Sequence, residues 1–474
     1  MHESTTLSTT NEVLPSPKAD TLVDGPMVDA EDLVQISSSS KRDRFAALLY
    51  LALRAGNSGA TVLAGFLTTF LLVRRLGVDG YAAYVITTAV GIYLSATDAG
   101  ISRTVYAKLR QAFLGGNLNE ERVRVAGALL LYGVVTTVAL LIFVAVQFTT
   151  GQAADEAAQS LYFFYVALNL PWMLLRYIAW AIDKHVWFDS IDLVRRCAQI
   201  AIFFLALTAL DLWTVFALLD LVWIVGFAAG LMIVKRRLGS QSQIASARQS
   251  IAQFWAGYGT MVRSSAAFSL IEFAIYNFPF FLIPLVYGKG MALVAFDLFY
   301  KLFRAGVVGN QIASTTVLPR QTRAFHAHDA AGVRRWTQSA VLLSIVAVSP
   351  LALGLLILGH QALHLLLSGA SVIGATGIAA VVIAVYSNSF QNAAGSLLIH
   401  VGLIRQGVHI SYTILAIMAL LSVVAGMGLL SVEHFILAYA LAYALGSAAW
   451  TALAARAIGK HFAVHEPALS GEPA

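Results

Sequence analysis

The sequence predicts an all-α polytopic membrane protein, with twelve transmembrane helices in two six-helix lobes around a central cavity. Three observations carry that reading. Between Phe45 and Gly459 lie twelve apolar stretches long enough to cross a bilayer. The chain is 58% hydrophobic and only 12% charged over 474 residues, against about 45–50% and 25% in an ordinary globular domain. The few charges that do fall inside the apolar stretches each cost roughly 2.5–3.5 kcal/mol at mid-membrane, so residues such as Arg54, Arg263, Lys301 and Arg304 require a polar cavity.

A helix needs about 20 apolar residues to span the hydrocarbon. The spacing predicts spans at 46–72, 81–104, 125–148, 160–182, 188–210 and 212–234. After a basic and polar interruption, a second set follows at 259–286, 290–317, 337–359, 373–399, 407–430 and 433–457. Lys and Arg set orientation. The connections after even-numbered spans carry Lys108, Arg110, Arg122, Arg124, Lys184, Lys235, Arg236, Arg237, Arg248, Arg320, Arg323, Arg334, Arg335 and Arg405, whereas the opposite connections carry Arg74, Arg75 and Lys289. The basic side is cytoplasmic, and both termini are expected there.

The expected organisation is a disordered cytoplasmic tail at 1–44, an N-lobe at 45–234, a cytoplasmic linker at 235–257, a C-lobe at 258–459 and a short cytoplasmic tail at 460–474. The first 40 residues are polar, Ser/Thr-rich and acidic, with no secretory signal. Around Gln241 to Trp255, Ile244, Ile251 and Phe254 alternate with polar residues, as in an interfacial helix or a plain linker. Cys197, the single cysteine, forms no internal disulfide and reads as a packing residue. The net charge of +6 is dispersed between apolar stretches and marks topology rather than nucleic-acid binding.

A weak internal repeat supports the division. Arg54 and Arg263 sit near the same end of the first span of each half, followed by glycines at the outer turn, Gly77 and Gly288, and by Ala83-Tyr84 and Ala295-Phe296. Repeated halves around a midplane site recur among transporters.

Basic residues within or at the rims of spans are Arg54, Arg103, Arg176, Arg263, Lys301 and Arg304. Arg103 and Arg176 lie near span ends, where snorkelling to the interface competes with a cavity position. In the eighth span Asp297, Lys301 and Arg304 are spaced by four and three and share one helical face. Asp297 can pair Lys301, which leaves one positive charge. Glu272 lies nine residues from Arg263, out of reach along the same helix. Converging cations suit an anion, and a guanidinium fork matches phosphate.

Asn388, Gln391, Asn392 and Ser396 form a polar face in the tenth span, able to bind sugar hydroxyls or to join helices. Tyr93, Tyr276 and Tyr300 can stack on sugar rings or pack as ordinary membrane aromatics. Asp98, before Gly100, can titrate or cap a helix break; Glu272 and Asp297 are the other acids that can couple to an ion. Asp189, Asp192, Arg195 and Arg196 open the fifth span as an interfacial ion-pair cluster. No Walker-type phosphate loop and no spaced Cys/His set for a metal occurs, so no catalytic residue and no cofactor is assigned.

The stretch LLVRRLGVDGYAAYVITTAVGIYLSATDAGISRTVYAKL resembles the opening of the polysaccharide-export branch, the Wzx-type flippases, of the MATE-like (MOP) transporter superfamily. The resemblance lies in Arg75, Leu76-Gly77, the Tyr81 to Tyr84 element and Asp98-Ala99-Gly100, with Ala82 where that family usually has glycine. FDLFYKLFRAGVVGNQIASTTVLPRQTRAFHAHDAAGVRRW is similar to the family's eighth helix and the loop after it, including Leu318-Pro319.

The resemblance implies alternating access and a bacterial inner-membrane location. The implied cargo is an undecaprenyl-diphosphate-linked oligosaccharide for O-antigen (lipopolysaccharide), capsule or exopolysaccharide synthesis, with an H+ or Na+ gradient as the drive and the polymerase machinery as a partner. By helix position it assigns Arg54, Arg263, Lys301 and Arg304 to the diphosphate. The competing readings are a MATE-type drug or cation antiporter, which favours an acidic cavity; a peptidoglycan-precursor flippase, for which fourteen helices are implied; and a membrane-embedded glycan polymerase or ligase, which would need a large outer loop.

Overall fold

The fold is seen in a computed structural model that describes residues 41–98, 100–114, 116, 118–150, 156–208, 210–238, 247–288, 290–327, 329–367, 369, 373–400 and 404–470. Among these residues there is no strand. In chain order the N-terminal half comprises α1 (Lys41–Ala96), α2 (Ile101–Leu114), α3 (Asn119–Thr150), α4 (Glu156–Ala167), α5 (Asn169–Ala181), α6 (His185–Ala206) and α7 (Leu212–Leu238). The C-terminal half comprises α8 (Ala247–Asn277), α9 (Pro279–Val286), α10 (Met291–His326), α11 (Ala330–Leu366), α12 (Ala375–His400), α13 (Ile404–Gly426) and α14 (Val432–Ser470).

Every apolar stretch expected from the sequence falls on these helices. The first two share α1, which turns at Gly77 (φ 72°, ψ 179°), a conformation that a Cβ would strain. The fourth is divided between α4 and α5, and the seventh between α8 and α9, where Pro279 follows the break at Phe278. Seven stretches among the described residues are long and apolar enough to cross a membrane by length and composition. The expected spans outside that set lie on α6, α8–α9, α10 and α12. All four bury polar side chains: Asp189, Asp192, Arg195 and Gln199 on α6, Asn277 on α8, Asp297 and Asn310 on α10, and Asn388 and Ser389 on α12. Hydropathy falls where a helix turns a polar face inward.

Faces that pack on no other helix are apolar. Leu141 and Ile142 on α3, Val194 on α6, Ile357 and Leu365 on α11 and Leu445 on α14 are each more than half exposed. A water-soluble monomer rarely shows so much contiguous apolar surface; lipid is the solvent that this exterior fits.

Within the N-terminal half, α1 packs on α4 and α6, α2 and α3 on α5, and α7 on α4 and α6; within the C-terminal half, α10, α11 and α12 pack together and α14 on α12 and α13. The halves meet chiefly where α1 crosses α10 and where α3 crosses α8. Gly127 makes the second crossing close, since a Cβ there would overlap the Ser250 carbonyl. The expected interfacial helix near 241–255 is thus described only from Ala247 on, as the start of α8, with Phe254 buried rather than lying on a membrane surface. Helix α14 runs past the expected boundary at 459, to Ser470.

Candidate functional site

The first crossing brings α1 and α10 together through the expected Asp297–Lys301 pair. Lys301 Nζ lies 2.8 Å from Asp297 Oδ2, and donates to Tyr81 at 2.5 Å and to Thr69 at 2.7 Å. Tyr81 in turn donates to Asp297 and lies 3.0 Å from the Thr69 hydroxyl. Asp297 is buried and Lys301 half-buried, so the network is neutral and hydrogen-bonded, as a buried pair must be. The turns at Gly77, Gly288 and Gly290 set this register, all three at positive φ. Gly290 approaches so closely that a Cβ would come within 2.6 Å of Asp79 Oδ1. Further along α1, Tyr93 stacks edge-on against Phe273 and Phe281, with centroids 4.8 and 4.5 Å away.

Arg304 continues the same helical face, seven residues beyond Asp297, and there the side chain becomes exposed. Along one stripe, then, α10 passes from a sealed contact with α1 to an open surface. A cleft of about 530 Å3 lies between the halves, walled by Thr97, Ile101, Tyr132 and Leu170 on one side and Trp255, Val262 and Arg263 on the other. Arg263 is exposed, and neither it nor Arg304 has a hydrogen-bond or ion-pair partner among the described residues. These two guanidiniums are the site's available cations.

Asp98 lies beside this cleft but is occupied. Its carboxylate accepts the backbone N–H of Gly100 at 3.1 Å, that of Ser102 at 3.0 Å, and the hydroxyl of Tyr132. It caps α2 across the break at Gly100 (φ 82°). The side chain of Glu272 lies outside the described residues, as do those of Arg103 and Ser396.

Arg54 does not join Arg263, although the repeat aligned them. Its guanidinium lies 5.9 Å from the Trp180 ring, inside the N-terminal half. There Arg176 lies 4.7 Å over the same ring and 3.7 Å from Asp189, while Asn57 donates to the Asp189 carbonyl at 2.8 Å. The adjoining ion-pair cluster is packed within the N-terminal half. Asp189, Asp192, Arg195 and Gln199 are all buried; Arg195 bonds Asp192 at 2.5 Å and lies 3.6 Å over the Trp223 ring, with Trp172 at 5.1 Å. Asp220 of α7 and Asp189 are buried carboxylates with no hydrogen-bond partner among the described residues. Spacing by three and four from residue 189 to 199 was the signal for a buried stripe, and Asp220, alone in its span, carried none.

The polar face of α12 joins helices. The Asn388 amide accepts from Asn310 at 2.8 Å and donates to Tyr443 at 2.8 Å. Gln391 accepts from Ser447 at 3.1 Å, and Asn392 donates to Ser314 at 2.8 Å. Of the two readings open for these amides, the contacts formed are those between α10, α12 and α14. Tyr276 and Tyr300 pack on aromatics, 6.2 Å from Phe303 and 5.2 Å from Phe280.

No protein-family profile and no curated protein matches this chain. Solved structures do. An inward-facing multidrug-resistance MATE family transporter of the MOP superfamily aligns with TM-score 0.62 at 12% identity, over 87% of this chain and 98% of that one. A MOP superfamily transporter from Pyrococcus furiosus, described by a binding pocket of reverse polarity that suggests a different function, aligns with TM-score 0.62 at 12% identity, over 92% and 99%. A Vibrio cholerae MATE transporter aligns with TM-score 0.57 at 14% identity, over 87% and 98%. The fold is that of MATE/MOP superfamily transporters.

Proposed function

We propose that this chain is a transporter that flips an anionic, lipid-linked glycan, an oligosaccharide on undecaprenyl diphosphate, across the bacterial inner membrane by alternating access. The observation that carries the reading is the pair of unpartnered arginines, Arg263 in the inter-half cleft and Arg304 on the exposed part of the α10 stripe. A guanidinium fork engages phosphate oxygens bidentately. The Asp297–Lys301–Tyr81–Thr69 network closes the opposite end while the cargo is loaded. In this scheme Lys301 acts in the closure, and Arg54 supports the N-terminal half from its place at Trp180. That one neighbour of the same fold is known by its pocket polarity supports pocket charge as the feature that sets cargo.

The proposal keeps both termini and the basic connections in the cytoplasm, and places the polymerase machinery downstream. A second reading, a drug or cation antiporter, is favoured by Asp220, a buried carboxylate with no hydrogen-bond partner among the described residues. Proteoliposomes separate the two. Transbilayer movement of a fluorescent polyprenyl-diphosphate oligosaccharide, followed by quenching from outside, is the expected activity. Efflux of a cationic dye with no movement of the glycan lipid would select the antiporter.

A further inference from the structure

A second cleft, of about 950 Å3, opens on the outer flank of the N-terminal half between α3, α4, α5 and α7. We propose that it holds one anionic phospholipid of the surrounding bilayer, specifically phosphatidylglycerol, with the phosphate between Arg122 and Lys235 and an acyl chain along the groove. The inference is independent of the transport reading.

The groove has two chemically different ends. Its walls are apolar, built from residues such as Leu129, Val134, Phe164, Phe227 and Leu231. At one end stand Arg122, in the first turns of α3, and Lys235, in the last turn of α7, which Arg236 and Arg237 follow in sequence without lining the groove. No carboxylate lines it among the described residues. Sixteen residues separate Arg122 from Val138 on α3; at 1.5 Å per residue the wall is about 24 Å long, against roughly 30 Å for the whole hydrocarbon layer. One acyl chain therefore fits lengthwise from the headgroup level inward.

The basic end selects the headgroup. Arg122 Nε is buried and has no hydrogen-bond partner among the described residues, so a donor that has lost its water awaits an acceptor. A phosphate supplies one, and basic pockets between helices at membrane boundaries bind anionic headgroups. A choline headgroup would instead bring a further positive charge beside Arg122 and Lys235. Gly133 keeps the middle of the wall open: it is exposed, and a Cβ there would meet nothing within 4 Å.

The test uses the full chain in nanodiscs of phosphatidylcholine with or without phosphatidylglycerol, followed by native mass spectrometry of the lipid retained. One phosphatidylglycerol per chain should be retained in preference to phosphatidylcholine. The double variant Arg122→Gln/Lys235→Gln should lower retention about tenfold, the loss of a charge-assisted contact of about 1.4 kcal/mol. Gly133→Phe, whose Cβ has open space around it, should do the same by filling the groove, and Arg334→Gln/Arg335→Gln in the other half should change nothing. Equal retention of the two lipids by the wild type would overturn the proposal without recourse to any variant. So would unchanged retention in both groove variants, or displacement of phosphatidylglycerol by equimolar polyprenyl diphosphate.

Discussion

Lys301 illustrates how a single side chain changes meaning between sequence and structure. As a charge in an apolar stretch it reads as a ligand for an anion, yet its ammonium is held by Asp297, Tyr81 and Thr69. Replacing it by methionine leaves Asp297 buried without its cation, and such breakage costs about 3–5 kcal/mol. We expect Lys301→Met to lower the detergent melting temperature clearly, and Lys301→Met/Asp297→Asn to recover most of the loss. Equal melting of the single variant and the wild type would remove the pair from the closure. Asn388→Ala should cost about 1–3 kcal/mol, because it removes the hydrogen bonds from Asn310 and to Tyr443, without acting on cargo. The sequence held the spacing of Asp297, Lys301 and Arg304 in plain view. It did not hold Tyr81 and Thr69 as their partners, since those lie more than 200 residues away and only the packing of α1 on α10 brings them there.

At the scale of elements, apolar length and turn glycines located the helices well, and polar periodicity was the weaker guide. The stretches on α6, α10 and α12 are legible as helices, but whether their polar stripes face a cavity or a neighbouring helix depends on rotation about the helix axis. On α12 the stripe faces α10 and α14, on α6 it faces the interior of its own half, and on α10 it changes from sealed to open within two turns. The α3–α8 crossing depends on Gly127, whose missing side chain leaves room for the Ser250 carbonyl. Gly127→Val should separate the two helices and cost about 1–3 kcal/mol by overpacking. A cross-link between cysteines introduced at Val123 and Gln253 would report the separation as a lower yield, and an undiminished yield with full stability would show that the crossing tolerates the side chain.

For the whole molecule, the two halves touch chiefly at α1–α10 and α3–α8 and leave between them a cleft in which Arg263 has no partner among the described residues. The sequence made the membrane class and the helical stretches legible. It did not separate Arg263, in the inter-half cleft, and Arg304, on the open surface of α10, from the charges packed within one half, Arg54 and the α6 cluster. The aligned repeat gives Arg54 and Arg263 equal standing, and packing breaks that equivalence. The most direct measurement is transport of a fluorescent polyprenyl-diphosphate oligosaccharide by proteoliposomes of the Arg263→Glu chain, with melting temperature measured in parallel. Loss of a charged contact worth about 1.5–3 kcal/mol predicts a fall of roughly tenfold or more in transport with stability retained. Unchanged transport by a folded Arg263→Glu protein would contradict the assignment of the cleft to an anionic cargo.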